Sequence, residues 1–418
     1  RSLAPLRHRR YAALWTGAFA SNVGTWMETV GVGILVTSQT GQAGWAGIVA
    51  AAAFLPNALV GPLGGALADR LPRRRLLLAT TTVQTVLAAT LAALAAVGAA
   101  RPWAVTAIVF TSGCANALGL PSFQALLPDL VPRDELTGAV ALSSAQWNLG
   151  RVIGPAIAGV VIGVGGYSLA FAINAASFLA VIVAVAPLRL PAPTPVPGET
   201  VRQAIGSGAR YAWRDPGIRA VIVYLALNSL LAAPFIALVP AVALRVFHDA
   251  AGGTAALVTA QGAGAVVMAL VLSALVRRLG LRRTVLGCLA VLPLALLAYA
   301  AAPTLAAGAA AIFFVGALYL GCLSSFTTIA QLRAPAALRG RVLSVFFVLL
   351  GLLYPIGSIV QGAIADAVGL PATTAGAAAL LAASFVVVRA ARRGFDRDLD
   401  DLAHPAPAPL GAVAPSAQ

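Results

Sequence analysis

Long apolar stretches without a charged residue are the feature that most restricts how this chain can fold. No charged side chain occurs between Arg219 and Arg245, and similar stretches recur throughout the 418 residues. Of all residues, 60% are hydrophobic and 10% are charged, whereas about 25% are charged in soluble domains. Because a membrane-spanning helix needs about 20 apolar residues, we expect an all-α integral membrane protein. The composition leaves no room for a folded soluble domain.

The uncharged stretches divide into twelve predicted membrane-spanning helices. These cover residues 11–38, 44–68, 76–100, 103–127, 136–164, 167–187, 218–243, 253–276, 284–302, 304–329, 342–365 and 370–388. Successive spans alternate in direction, so the loops sort onto two sides. Of the 28 arginines, 25 fall on one side, two (Arg101 and Arg245) on the other, and Arg151 within a span. The positive-inside rule makes the Arg-rich side cytoplasmic and predicts that both termini are inside.

The twelve spans form two predicted halves of six helices, residues 1–187 and 218–388. The linker 188–217 begins Pro-rich and continues with apolar residues at helical spacing, which predicts an amphipathic helix along the cytoplasmic face. Residues 389–418 are expected to form a disordered cytoplasmic tail, because they are rich in Asp and then in Ala and Pro.

An internal repeat relates the two halves. The residues Pro132, Gly154 and Gly159 recur as Pro335, Gly357 and Gly362. Two similar six-helix halves that face one site in the middle of the membrane are typical of secondary transporters. A channel or an intramembrane enzyme does not require this arrangement.

The turn after the second span, GALADRLPRRR (65–75), carries Gly65, Asp69, Arg70, Arg73 and Arg74. It resembles the signature turn of the major facilitator superfamily, G-x-L-x-D-R-x-G-R-R, although Pro replaces the central Gly. The resemblance implies a conformational lock in which the Asp faces a helix end in the opposite half and the arginines hold the inner leaflet. A simple positive-inside turn explains the arginines but not the spacing of the Gly and the Asp.

The fifth predicted helix carries Gly150, Gly154, Pro155 and Gly159, a row of small residues with a kinking proline. It resembles the antiporter motif of drug-efflux branches of the superfamily; the alternative is ordinary close helix packing. Together with residues 21–36 and 54–75, this helix resembles the branch of enterobactin-type siderophore exporters and macrolide or multidrug efflux proteins. The resemblance implies the major facilitator fold and proton-driven export from a bacterial cytoplasmic membrane.

Glu28 and Arg151 are the ionisable residues deep within predicted spans. They lie about 25 and 22 Å from the cytoplasmic ends of their helices at 1.5 Å per residue. Ionisable groups at this depth are candidates for function because they are costly in lipid. We hypothesise that Glu28 is the proton-coupling carboxylate and that Arg151 holds it ionised when the two approach. The alternatives are a static ion pair or a Glu28 near the outer interface.

Other polar and aromatic residues in the spans predict a large, mostly apolar cavity with few hydrogen-bonding groups. The candidates are Asn22, Trp26, Gln146, Asn148, Asn228, Phe235, Gln261, Tyr354 and Gln361. Such a cavity suits a bulky amphipathic cargo better than a sugar.

The sequence therefore predicts a proton-coupled exporter of lipophilic or amphipathic small molecules, such as a drug, siderophore or secondary metabolite. The alternative is an importer or lipid-moving facilitator on the same fold. We expect no catalytic residue, no metal site and no cofactor, since no phosphate-binding loop is present and a proton gradient would supply the energy. The expected partners are the cargo and membrane lipid, with no nucleic acid and no obligate protein partner, so that the protein acts as a monomer.

Overall fold

The computed structural model describes residues 3–188, 201–335, 338–391 and Leu399. Seven side chains within its helices are not described: Ala66, Asp69, Val201, Arg202, Ala204, Ile205 and Ala391. The Pro-rich part of the predicted linker and nearly all of the predicted tail lie outside the described residues, so those two expectations stay predictions.

Fourteen α-helices account for most of the described chain. They are α1 (Arg9–Thr40), α2 (Ala43–Leu59), α3 (Gly61–Arg70), α4 (Arg73–Ala96), α5 (Pro102–Leu130), α6 (Leu136–Val185), α7 (Val201–Arg214), α8 (Pro216–Leu227), α9 (Phe235–Arg245), α10 (Ala251–Leu279), α11 (Leu281–Ala300), α12 (Leu305–Arg333), α13 (Arg339–Val368) and α14 (Leu370–Ala391). Short 3₁₀ helices cover Ala4–Arg7 and Arg133–Glu135, and a π-turn covers Asn228–Ala232.

Helix α6 consists of two antiparallel arms joined at Gly166. Its 50 residues would extend about 75 Å as one straight helix, far more than a bilayer requires. Gly166 adopts φ 70° and ψ −174°, a conformation that favours glycine. The arms, residues 136–165 and 167–185, therefore correspond to the predicted fifth and sixth spans.

Contacts with α1 establish the reversal within α6. Along the first arm, Trp15 donates to the carbonyl of Leu142 and Trp26 packs against Gly154, so this arm runs parallel to α1. Along the second arm the order is inverted, because Gly17 meets Ala180. The same α1 then meets Phe171 at Gly31, which confirms the antiparallel direction.

Nine helical segments in the described ranges are long and apolar enough to span a membrane, and Ala43–Leu59 is a shorter apolar helix. One of the nine is the two-armed α6, and α1 contributes a further helix of 32 residues that is less apolar because it carries Glu28 and several polar residues. Counting α2 with α3 as one span and α8 with α9 as one, the described residues form twelve spans, as predicted.

Two predicted spans are interrupted. The second bends at Val60, where α2 ends and α3 begins with Pro62 in its first turn, and proline cannot donate the helical hydrogen bond at that point. The seventh contains the π-turn, in which the amide of Ala233 donates to the carbonyl of Asn228 over 2.8 Å, directly before Pro234. Both irregularities release backbone groups within the membrane that must find other partners.

Helices α1–α6 pack against one another and form the first bundle, and α8–α14 form the second. Between them in the chain, α7 packs against α13, with Gly208 against Arg341 and the Arg341 guanidinium donating to Ser207 over 2.9 Å. Tyr211 also donates from its hydroxyl to the carbonyl of Arg333. The predicted amphipathic helix of the linker is thus a helix docked on the second bundle at its Arg-rich end.

The inter-bundle contacts have the pseudo-symmetry that the sequence repeat implies. In the first bundle, Gly154 faces α1 and Gly159 faces Ala255 of α10. In the second bundle, the equivalent Gly357 faces the carbonyl of Leu230, and Gly362 faces Ala43 and Gly44 of α2. Each repeat therefore uses one glycine to pack within its own bundle and one to contact the other bundle.

Candidate functional site

Glu28 lies on the face of α1 that packs against the second arm of α6. The side-chain amide of Asn174 donates to Glu28 Oε2 over 2.6 Å, and Ser177 donates from its hydroxyl to Asn174 Oδ1 over 3.1 Å. The Ser177 hydroxyl also donates to the Asn174 backbone carbonyl over 2.7 Å. Because an ionised carboxylate can only accept, Asn174 presents its amide group to Glu28. Asn174 is buried and Glu28 is half-buried, so the pair connects the bundle interior with its surface.

Gly24 makes room for this polar group. A Cβ at position 24 would lie 2.5 Å from Asn174 Oδ1 and 2.6 Å from Ser177 Oγ, which is closer than any real Cβ contact. Sequence reasoning missed both Gly24 and Ser177. Their signal is present in the sequence: Gly24 stands one helical turn before Glu28, and Ser177 stands three residues after Asn174.

Arg151 faces away from Glu28, towards the second bundle. A Cβ on Gly262 of α10 would lie 3.6 Å from the Arg151 carbonyl and 3.0 Å from the Val152 side chain. Arg151 also interacts electrostatically with Tyr319 of α12. The described residues contain no ion pair between Arg151 and Glu28, so the pairing considered from the sequence is not formed in this conformation.

Aromatic side chains form pairs near this level of the membrane. Trp26 and Trp147 are edge to face with ring centroids 5.7 Å apart, and Phe235 and Tyr319 lie 6.0 Å apart in the same arrangement. Tyr354 contacts Phe54 of α2 across the bundle boundary at 5.2 Å. Trp26, Phe235 and Tyr354, all predicted cavity residues, therefore each belong to an aromatic pair.

The polar residues predicted to line the cavity differ in their hydrogen bonding. Gln361 donates from its amide to the carbonyls of Leu230 and Leu231, both over 3.0 Å, and so satisfies backbone groups beside the π-turn. Asn148 donates to the carbonyl of Ser144 in its own helix. In contrast, buried side-chain atoms of Gln146, Asn228 and Gln261 have no hydrogen-bond partner. Asn22 is half-buried and packs against Gly150.

The predicted seam of helix five is a set of close approaches. Gly150 and Gly154 face Asn22 and Trp26 of α1, where a Cβ would lie 3.0 and 2.7 Å from those side chains. Gly159 faces Ala255 of α10 at 2.7 Å, and Pro155 is buried within the helix between the two contacts. The seam therefore joins the first arm of α6 to its own bundle and to the opposite one.

The turn between α3 and α4 is anchored within the first bundle. Arg73 donates to the carbonyl of Ala125 and to Asp129 Oδ2, both over 3.2 Å, and Arg74 donates to the carbonyl of Ala186. Arg70 is exposed, and Gly65 has open space around it. The side chain of Asp69 lies outside the described residues, so the lock ascribed to it stays a prediction.

The opposite ends of the helices carry a clamp that sequence reasoning left unassigned. Asp366, at the end of α13, accepts from the backbone amides of Ala43 and Gly44 over 2.7 and 2.8 Å. These amides are the first two of α2, where a carboxylate is favoured by free N–H groups and by the helix dipole. Arg245, at the end of α9, donates to Asp366 Oδ1 over 2.8 Å. One carboxylate thus joins the two bundles.

No group of three or more His, Cys, Asp or Glu residues in the described ranges could hold a metal ion. Cys288 and Cys322 are buried and Cys114 is half-buried, all as free thiols.

Comparisons with known proteins agree with this architecture. Residues 1–415 match the transmembrane secretion effector family. The multidrug efflux pump Tap of Mycolicibacterium fortuitum is 29% identical over 381 residues, which is 88% of this chain and 91% of the pump. Macrolide efflux protein A of Streptococcus pyogenes is 24% identical over 182 residues, 44% of this chain and 45% of that protein.

Among solved structures, a peptide-bound transporter of the POT family superimposes with a TM-score of 0.73 at 12% identity. The match covers 93% of this chain and 96% of that one, and it supports the fold alone. The family match and the efflux relatives confirm that the chain is a multi-pass membrane transporter of the efflux type rather than an enzyme. With its twelve spans, paired repeats and full-length family match, the chain belongs to the transmembrane secretion effector family of the major facilitator superfamily.

Proposed function

We propose that this protein exports lipophilic or amphipathic small molecules from the bacterial cytoplasm by proton antiport and alternating access. The observation that carries the proposal is Glu28, a carboxyl group within the membrane that bonds the neutral amide of Asn174 rather than a cation. Carboxylates at such depth are typical of proton relays in transporters. The efflux relatives supply the direction of transport for this proposal.

The distribution of inter-bundle contacts supports alternating access. Gly47 packs on the backbone of Ser358, Gly362 packs on Ala43, and Asp366 clamps α2. These contacts lie towards the end opposite the Arg-rich turns. With the Arg-rich side cytoplasmic, as the positive-inside rule indicates, the protein is closed to the exterior and its cargo site faces the cytoplasm. Both termini are then cytoplasmic, and the protein works as a monomer in lipid without a cofactor.

The mechanism follows from the separate positions of the two membrane-embedded charges. Cargo enters from the cytoplasmic side and binds between the bundles, near Arg151 and the aromatic pairs. A proton that reaches Glu28 from outside neutralises it and changes its hydrogen bonding with Asn174, at the contact between α1 and the second arm of α6. Because an equilibrium shifts only through differential binding, this change must favour one bundle arrangement over the other.

Transport into inside-out membrane vesicles tests the proposal, with a panel of dyes and antibiotics and an imposed proton gradient. We expect gradient-dependent accumulation in the wild type and its loss in Glu28→Gln. The matched control is Glu135→Gln, the same substitution at a carboxylate that bonds His8 at the Arg-rich end; it should leave transport unchanged. Accumulation that survives Glu28→Gln would move the proton site elsewhere, and accumulation in the reverse direction would favour the importer.

A further inference from the structure

Arg151 carries a positive charge in the membrane without a carboxylate partner. Glu28 bonds Asn174 on another face of the first bundle, and the ion pairs within the described ranges join other residues: His8 with Glu135, Arg73 with Asp129, Arg245 with Asp366, and Arg333 with Asp215. A buried Nη2 atom of Arg151 has no hydrogen-bond partner. A guanidinium in a low-dielectric region is costly unless an anion balances it, so this position is suited to an anion supplied by a ligand.

Two further buried donors without partners lie on helices that pack against α6 within one turn of Arg151. The indole Nε1 of Trp26 and the amide Nε2 of Gln261 are buried and unbonded. Trp26 packs against Gly154, three residues along the helix from Arg151, and Gln261 precedes Gly262, which packs against Arg151 and Val152. The three donors therefore belong to α6 and to the segments of α1 and α10 that pack against it near Arg151.

The chemistry of these atoms selects the kind of ligand. The Arg guanidinium and the Trp indole can only donate hydrogen bonds, so their ligand must accept them. Neither water nor a neutral apolar molecule balances the guanidinium charge. A carboxylate offers two acceptor oxygens and one negative charge, which match a guanidinium and its neighbouring donors. The edge-to-face pair of Trp26 and Trp147 provides an apolar surface beside them for the rest of such a ligand.

We infer that Arg151, Trp26 and Gln261 form a recognition site for the acidic group of an amphipathic cargo, in particular a carboxylate attached to an aromatic or polycyclic body. This inference rests on the proposed function, since it names the cargo class of the same central cavity. It assigns Arg151 to cargo and leaves the proton to Glu28.

Binding of matched acid and ester probes tests the site. Fluorescein and its methyl ester, and cholate and its methyl ester, differ in the carboxylate alone. With the full chain in lipid nanodiscs, we expect the wild type to bind each acid at least about ten-fold more tightly than its ester, and Arg151→Gln to remove that preference while ester binding stays unchanged. Trp26→Phe should weaken acid binding about three-fold, and the exposed Arg101→Gln should change nothing.

The outcomes separate this inference from the proposed function. Equal binding of acid and ester by the wild type, no binding of any of the four probes, or an acid preference that survives Arg151→Gln overturns the anion site. If the Arg151→Gln variant binds neither the acids nor the esters, the Arg151→Lys variant is tested in its place. An acid preference in Arg151→Lys supports the site, and loss of that preference overturns it. Proton-driven ester uptake that depends on Glu28 would still establish the exporter, whereas acid binding without any gradient-driven transport would overturn the exporter and keep the site.

Discussion

At the scale of single residues, Asn174 controls the environment of the membrane carboxylate. The Asn174 amide donates to Glu28 over 2.6 Å, and the Ser177 hydroxyl lies 3.1 Å from Asn174 Oδ1. A donor to a carboxylate stabilises the ionised form, and hydrogen bonds to charged groups contribute about 1.5–3 kcal/mol. The readiness of Glu28 to release its proton therefore depends on Asn174, a residue in the second arm of α6.

We expect Asn174→Ala to move the pH profile of transport to higher pH by about one unit, because the carboxyl group without its donor keeps its proton longer. The measurement is the rate of dye transport in vesicles across a pH series. Asn148→Ala is the matched control, since that amide bonds a carbonyl of its own helix and should leave the profile in place. A profile that is identical in the wild type and Asn174→Ala would show that Asn174 does not influence the titrating group.

The sequence identifies Glu28 and Arg151 because charged residues are conspicuous within apolar stretches. It does not reveal which face of its helix each occupies, and a shift of two residues along a helix turns a side chain by about 200°. Glu28 thus meets Asn174 in the same bundle, and Arg151 meets the opposite bundle. The pairing of the two was a reasonable expectation from their similar depth, but depth alone does not determine contact.

At the scale of secondary structure, the π-turn in the seventh span depends on another helix for its stability. The Gln361 amide of α13 donates to the carbonyls of Leu230 and Leu231 beside this turn. In a membrane these carbonyls have no water to bond, so an unmet group costs about 1–3 kcal/mol. A glutamine that the sequence assigns to the cavity is therefore engaged in supporting a break in a helix.

We expect Gln361→Leu to lower the free energy of unfolding by about 2 kcal/mol, because it leaves those carbonyls without a donor. Thermal unfolding of the protein in detergent measures the change. Gln261→Leu is an internal comparison, since the buried Gln261 amide nitrogen has no partner to lose and its replacement should not lower stability. Equal losses in the two variants would mean that the bonds of Gln361 do not stabilise the turn.

Helix positions follow closely from the uncharged apolar stretches, and the predicted spans agree with the observed helices to within a few residues at most ends. The breaks at Val60 and Asn228–Ala232 were not predicted, although Pro62 and Pro234 mark both. A proline within a long apolar stretch is compatible with a kink, a π-turn or a new helix, and neighbouring helices determine which forms.

At the scale of the whole molecule, the two repeats share equivalent packing contacts but differ at the clamp formed by Asp366. Gly159 and Gly362 contact the opposite bundle from equivalent positions. Asp366, four residues after Gly362, clamps α2. The equivalent position in the first repeat is Gly163, where a Cβ added to the backbone would have no atom of another residue within 4 Å. The clamp therefore belongs to one pair of helices and to one of the two bundle arrangements.

We expect Asp366→Asn to shift the population away from the conformation described here by about ten-fold, because a charged cap and its ion pair with Arg245 together contribute about 1–2 kcal/mol. A cysteine at the exposed Trp147, in a background without the native cysteines, reports on access from the Arg-rich side. In the Asp366→Asn variant, this cysteine should react more slowly with an impermeant maleimide in inside-out vesicles. Asp249→Asn is the control, since Asp249 caps Gly252 within its own bundle; unchanged labelling in Asp366→Asn would show that the clamp does not hold this state.

The sharp reversal at Gly166 also bears on how the protein is made. The two arms of α6 are separated by a single residue with non-helical dihedrals, so no hydrophilic loop has to cross the bilayer between them. During synthesis the arms can insert as one preformed helical hairpin that enters the membrane tip first. An insertion of several polar residues at this tip would turn one insertion event into two, and the biogenesis of the first bundle would then depend on translocating a loop that the natural chain does not have.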